Sequence, residues 1–370
     1  RDSSARRVFY PLGTPLQRGM QVRNTAYGKT LQVIQREGVS AFYRGAIADL
    51  IVKDASRSGG FITKEDLAAY RAVLREPLRS QYRGYQVITT PAPCGGMFLI
   101  EGLNILKQFD LRACRAQSGY DAHLLAEVFK LIYRDERTFN GDPAFGAVPT
   151  DSITSEAFAL KRLRMISLAR AMSPSKIPAS PVSQPNTTHL SVMDGKGNAV
   201  ALTVTLSSLF GTAHTVEGAG FMMNNEMQNF DVHPSHHNGL APRKRVVTSL
   251  VPTVLTKGGK AVLATGTPGG DLIISTILQV LVNMIDHGNT LWEAVDAPRL
   301  FSIHLQDELE MEGRFDPETE MLLRQLGHVV KVDPPYQSYF GAVQSVSRDA
   351  HTGLLTGVSD VRRSGAAVGE

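Results

Sequence analysis

The chain is poor in the residues that staple or anchor a fold. Its 370 residues include two cysteines and one tryptophan. Cys94 and Cys114 can pair only with each other, so no disulfide framework is encoded and both are read as free thiols. No apolar run approaches the ~18 residues that a membrane-spanning helix requires. The start, Arg1 to Arg7 followed by Pro11 and Gly13, has no apolar core of the kind that makes a secretory leader. The net charge is +4, but the cations form no long basic run, which argues against a nucleic-acid surface. The charge is also divided, +10 over residues 1–186 and −6 over 187–370, as suits two segments that must stay together. His233, His236 and His237 lack an acidic partner at ligand spacing, so they read as a solvated loop, and no metal or organic cofactor is expected.

What is present is a soluble-protein composition, 42% hydrophobic and 20% charged, with alternating helical and extended patterns. Helices are expected over 25–36, 40–56, 95–109, 120–139, from 155 to about 171, and over 271–285, opened by Pro268-Gly269-Gly270. Thr63 with Asp66 marks a capped short helix ending near Tyr70. A strand over 85–90 is stopped by Pro91 and Pro93, and strands over 250–255 and 260–265 flank Gly258-Gly259. Residues 173–186, rich in proline and serine, form the only convincing linker. It ends at Asn186-Thr187.

The most informative stretch follows that linker. Leu190 and Val192 alternate with polar or smaller residues, and Val200, Leu202 and Val204 lie on one face of a second run, so 187–205 reads as a β-hairpin. A loop at 195–197, with Gly197 at positive φ, pairs Asp194 with Asn198 and sets Thr187 opposite Thr205. Opposed Cβ atoms lie about 5 Å apart, within reach of a hydroxyl–hydroxyl hydrogen bond. An N-terminal threonine carries its own base, an α-amine titrating near ~8. Cleavage between Asn186 and Thr187 would therefore create a nucleophile, whereas a chain left intact would have an ordinary hairpin.

Further motifs occur in order: Ala41-Phe42-Tyr43-Arg44-Gly45, Gly59-Gly60-Phe61-Ile62-Thr63, Tyr82-Arg83-Gly84-Tyr85, Gly141-Asp142-Pro143, Thr187-Thr188-His189, Asn224-Asn225-Glu226-Met227, Pro268-Gly269-Gly270, Asp296-Ala297-Pro298-Arg299 and Ser364-Gly365-Ala366-Ala367-Val368-Gly369. From about Asn24 onward the chain thus resembles the γ-glutamyltransferase family of N-terminal-nucleophile hydrolases. The resemblance implies an α+β fold, a four-layer αββα sandwich, in which 1–186 is the end of a large-subunit segment and 187–370 is the small-subunit segment. Both would contribute strands to one structural domain. Family members carry a longer N-terminal portion with an arginine for the substrate carboxylate. Nothing here corresponds to it, so residue 1 is expected to lie inside the family sequence.

The same resemblance assigns roles. Thr187 is the nucleophile, Thr205 orients it with Thr203 as a second candidate, and Gly269 and Gly270 form the oxyanion hole. Thr248 and Ser249 match the pair that holds the γ-glutamyl carboxylate, while Ser207, Glu226 and Asn229 match the groups that hold its amine. Asn229 stands where the family has a carboxylate, which weakens γ-glutamyl specificity but not the amide chemistry, and Ser207 stands where it has an asparagine; both departures favour a different acyl group. Three functions follow: a γ-glutamyltransferase or glutathione hydrolase, a related amidase or acylase with a different acyl group, and a non-catalytic scaffold. The expected partners are a small-molecule amide and the two cleavage products associated with each other. The resemblance favours a periplasmic or extracellular location.

Overall fold

The computed structural model describes residues 3–11, 13–173, 185–302 and 308–369, so most of the linker expected at 173–186 lies outside the described residues. The chain forms two compact units, Arg1–Arg75 with Leu206–Asn225 and Glu76–Thr205 with Glu226–Glu370. The division of the sequence at 186/187 is not a division of the fold, because each unit takes residues from both sides of it.

The first unit is helical, with α1 (Ser3–Phe9), α2 (Thr25–Glu37), α3 (Val39–Tyr43), α4 (Ala46–Arg57) and α5 (Lys64–Ala69). Its small core gathers Ala41, Ile47, Ile51, Val216 and Ala219. The helix expected over 40–56 is in fact two. The chain turns at Arg44-Gly45 so tightly that a Cβ on Gly45 would lie 2.9 Å from Ala41 Cα. Periodicity alone does not register such a close backbone approach. The Thr63–Asp66 capping box opens α5 as expected.

The second unit holds α6 (Gly96–Leu106), α7 (Gly119–Phe139), α8 (Thr150–Ile153), α9 (Glu156–Leu163), α10 (Ile273–Ile285), α11 (Leu291–Asp296) and α12 (Pro317–Gln325). Its strands are β1 (Leu78–Tyr82), β2 (Tyr85–Thr89), β3 (Pro185–Met193), β4 (Ala199–Ser208), β5 (Thr253–Lys257), β6 (Lys260–Gly266), β7 (Leu300–Ser302), β8 (Glu308–Glu312), β9 (Val329–Asp333), β10 (Gln344–Arg348) and β11 (Leu355–Ser359); the last residues of β4 fall in the first unit. The helix expected from 155 to about 171 ends at Leu163, and the chain beyond it is tied by Ala171 N–H to the Leu326 carbonyl.

A six-stranded antiparallel sheet runs in the order β1-β2-β5-β6-β10-β11. Val87, Leu255 and Leu263 lie in one register row across it and join the main core with α6, α7 and α10. Every residue of this mostly apolar helix α6 is buried, Glu101 and Asn104 included, where it packs against β1, β2, α7 and α10. Side chains alternate along a strand, so Gly266, three residues after Leu263, faces the other way. There the hairpin β3–β4 packs, its β3 strand against β6 and β10. A Cβ on Gly266 would lie 2.2 Å from the His189 ring, so the absence of a side chain at this position admits the hairpin. Beside the sheet, Arg299 of the Asp296–Arg299 motif is buried against Asp360 at 2.6 Å, a structural ion pair.

Candidate active site

The period of β3 places Thr187, His189 and Ser191 on its inner face, and Thr187 is only 7% exposed. The loop has the expected form, with Asp194 N–H donating to the Asn198 carbonyl at 3.1 Å and Gly197 at φ 89°. Thr187 Oγ1 donates to Thr205 Oγ1 at 3.1 Å, and Thr205 Oγ1 lies 3.4 Å from the Asn186 carbonyl oxygen as its donor. One hydroxyl therefore contacts both the Thr187 hydroxyl and the carbonyl of the Asn186–Thr187 peptide bond.

Thr203 is engaged differently. His189 Nδ1 meets Thr203 Oγ1 at 2.8 Å and Nε2 meets Ser191 Oγ at 3.0 Å, while Ser191 donates its own proton to the Gln344 carbonyl at 2.9 Å. Ser191 must then accept from His189 Nε2–H, leaving Nδ1 to accept from Thr203. The ring is neutral in this arrangement, and burial pushes its pKa down to about 4. Sequence reasoning gave His189 no role; the signal was its spacing of two residues from Thr187.

Gly269 and Gly270 adopt φ 153° and 55°, backbone conformations that disfavour side chains. The expected helix at 271 begins instead with a 3-10 turn, Gly270–Leu272, before α10, and β3 packs against that turn. Thr248 N–H donates to the Pro93 carbonyl at 2.9 Å, and Ser249 Oγ bonds Glu136 Oε1 of α7 at 3.0 Å. Glu136 retains some exposed surface, yet the surrounding protein desolvates its carboxyl, which together with the negative charge of Asp271 raises its pKa to about 7. Glu226 and Asn229 share the 3-10 turn Glu226–Asn229, where Asn229 Nδ2 donates to Glu226 Oε2 at 3.0 Å and burial raises the Glu226 carboxyl. Ser207 is buried at φ 70° and falls in the first unit.

Cys94 and Cys114 form no disulfide. The triad histidine loop is not the place where possible metal ligands converge. Among the described residues that place is His123, Glu127 and His328. There His123 Nδ1 and His328 Nε2 bond each other at 2.7 Å, and the Lys130 ammonium is already the cation, 2.7 Å from Glu127. The cluster grips residues 167–172 through the Ser167 carbonyl and both backbone groups of Met172.

The family profile described as Gamma-glutamyltranspeptidase matches residues 1–370. The chain is 38% identical over 373 residues to the glutathione hydrolase proenzyme of Escherichia coli (strain K12), covering 97% of this chain and 63% of that protein. It is 35% identical over 385 residues to the glutathione hydrolase proenzyme of Bacillus subtilis (strain 168), covering 99% and 65%. An acylase proenzyme of Pseudomonas sp. (strain SE83) is 36% identical over 369 residues, covering 100% and 65%. The crystal structure of a cephalosporin acylase from Bacillus halodurans superposes with a TM-score of 0.89 at 30% identity, covering 98% of this chain and 66% of that one. The chain thus spans 63 to 65% of the length of these curated relatives.

Proposed function

The chain belongs to the gamma-glutamyltranspeptidase family and has the α+β fold of N-terminal-nucleophile hydrolases, and from that premise we propose that it is an autoprocessing amide hydrolase with Thr187 as nucleophile. The observation that carries this reading is the link from Thr187 Oγ1 through Thr205 Oγ1 to the Asn186 carbonyl. In processing, Thr187 Oγ adds to the Asn186 carbonyl carbon, the C–N bond breaks, and an ester and a free Thr187 amine result. Water then cleaves the ester, leaving Asn186 with a carboxylate. Thr205 supports this step by holding the hydroxyl and donating toward the oxygen on which negative charge develops.

In turnover the freed amine takes the hydroxyl proton as Thr187 attacks the substrate amide. Gly269 and Gly270 supply backbone N–H groups to the oxyanion, and the amine leaves with a proton. Water, or an amino acid acting as acceptor, then removes the acyl group from Thr187. Thr248 and Ser249 receive the carboxylate of a γ-glutamyl group, and Glu226 its ammonium. A second reading, an acylase with an uncharged or differently charged acyl head, is favoured by Asn229, whose amide occupies Glu226 without adding negative charge.

Intact mass of the purified, denatured chain tests the nucleophile. The expected result is two fragments split at Asn186–Thr187, a single mass for Thr187→Ala, and cleavage slowed about 10- to 100-fold in Thr205→Val. An uncleaved parent after long incubation would favour the scaffold reading. Amide substrates with γ-glutamyl and with neutral acyl groups then separate the two hydrolase readings.

A further inference from the structure

The hydroxyl assigned to the substrate carboxylate is committed elsewhere in the structure. Ser249 Oγ lies 3.0 Å from Glu136 Oε1, a separation at which one proton is shared. If Glu136 is ionised, only Ser249 can supply that proton, and its oxygen then turns lone pairs, rather than a hydrogen, toward a guest. If Glu136 is protonated, the direction reverses. Its O–H donates to Ser249 Oγ, and the Ser249 hydrogen is released to donate to an anion. The protonated state also removes a negative charge from beside that anion.

We propose that Glu136 is a positioning residue that sets the direction of the Ser249 hydroxyl, so that an acyl group bearing a carboxylate binds together with one proton on Glu136. The inference rests on the assignment of Ser249 to the acyl carboxylate and goes beyond it by naming the group that gates it. No bond other than O–H is made or broken: the proton comes from solvent on binding and returns on release.

The groups around Glu136 suit such a proton. Desolvation and then the Asp271 carboxylate, on the turn after the glycine pair, favour its neutral form, while Arg137 on the same helix and the Ser249 bond oppose it. Asp271 is itself raised by burial and restrained by Arg137. Tyr133, one turn earlier on α7, donates its phenol proton to Ser275 Oγ at 3.1 Å; burial holds it neutral, and it adds no charge. The balance leaves Glu136 near 7, where both states are populated around neutral pH.

The test is calorimetric binding of L-glutamate and of 4-aminobutanoate to the full chain at pH 6 and pH 8. The two ligands share an amine and the carboxylate that faces the nucleophile; only glutamate has the carboxylate assigned to Ser249. Their affinity ratio therefore cancels titration of the Thr187 amine. The ratio should fall about tenfold from pH 6 to pH 8, as expected for one proton on a group titrating near 7. In Glu136→Gln, whose amide donates at every pH, the ratio should stay near its pH 6 value. A ratio well above one that does not change with pH in the parent overturns the role of Glu136 but leaves carboxylate recognition standing. An unchanged slope in Glu136→Gln has the same meaning. A ratio near one at both pH values, or no glutamate binding, overturns carboxylate recognition and the inference with it.

Discussion

The two faces of the β3–β4 hairpin reverse the ordinary distribution of polarity. Its inner face carries Thr187, His189, Ser191, Thr203 and Thr205, joined by hydrogen bonds of 2.8 to 3.1 Å. Its outer face carries Leu190, Val192, Val200, Leu202 and Val204, each roughly half exposed. Burial of apolar area would by itself turn the hairpin over. The polar face is nevertheless the one against the sheet, because Gly266 makes room for the His189 ring and the Gln344 carbonyl completes the hydrogen bonding. A buried polar face is tolerable only when its groups are paired. Buried polar groups are kept in place here by satisfied neighbours, while apolar alternation on this hairpin marks a face and not the core.

The largest disturbance of this comparison is expected from Gly266→Val. A side chain meeting the His189 ring forces the inner face off the sheet, with a loss of about 2–4 kcal/mol in denaturant unfolding and loss of cleavage at Asn186–Thr187. Unchanged stability would mean that the hairpin does not dock through His189.

Acid should act next. Burial depresses His189 to about 4 and His328 to about 3, whereas an unfolded histidine titrates near ~6.5. Below that unfolded value the unfolded chain binds protons that the folded chain refuses. The stability contributed by neutral histidines is thus complete above pH ~6.5 and falls as pH drops toward the folded values, by on the order of 2–3 kcal/mol for His189. Unfolding midpoints across pH 4 to 8 measure this, and His189→Gln should flatten part of the slope. The smallest effect belongs to the outer face, where Leu202→Thr should change the unfolding free energy of this chain by less than ~0.5 kcal/mol. A larger loss would show that another surface covers that face.

Much of the local structure is legible without coordinates. The capped start at Thr63, the Gly197 loop, the Thr187–Thr205 pair and the β5–β6 turn at Gly258-Gly259 follow from turn chemistry and a period of two, although β5 runs over Thr253–Lys257 and not 250–255. The sequence pattern also locates the glycine pair before α10, although not its 3-10 turn. What escapes it are contacts between residues distant in the chain. Glu136 and Ser249 are 113 residues apart, and Ser191 and Gln344 are 153 apart. Such pairs leave no periodic trace in either segment.

Which residues share a face and where the chain can turn are readable from the residues alone, because both depend on backbone geometry over a few neighbours. The sequence also carries the family motifs, including the threonine that follows the linker. Which face of the hairpin turns inward, the division of α3 from α4 at Arg44-Gly45, and the meeting of the Ser249 hydroxyl with a carboxyl of raised pKa emerge only on folding. Burial, desolvation and hydrogen-bond partnership are properties of a site assembled from distant segments, and no single segment contains them.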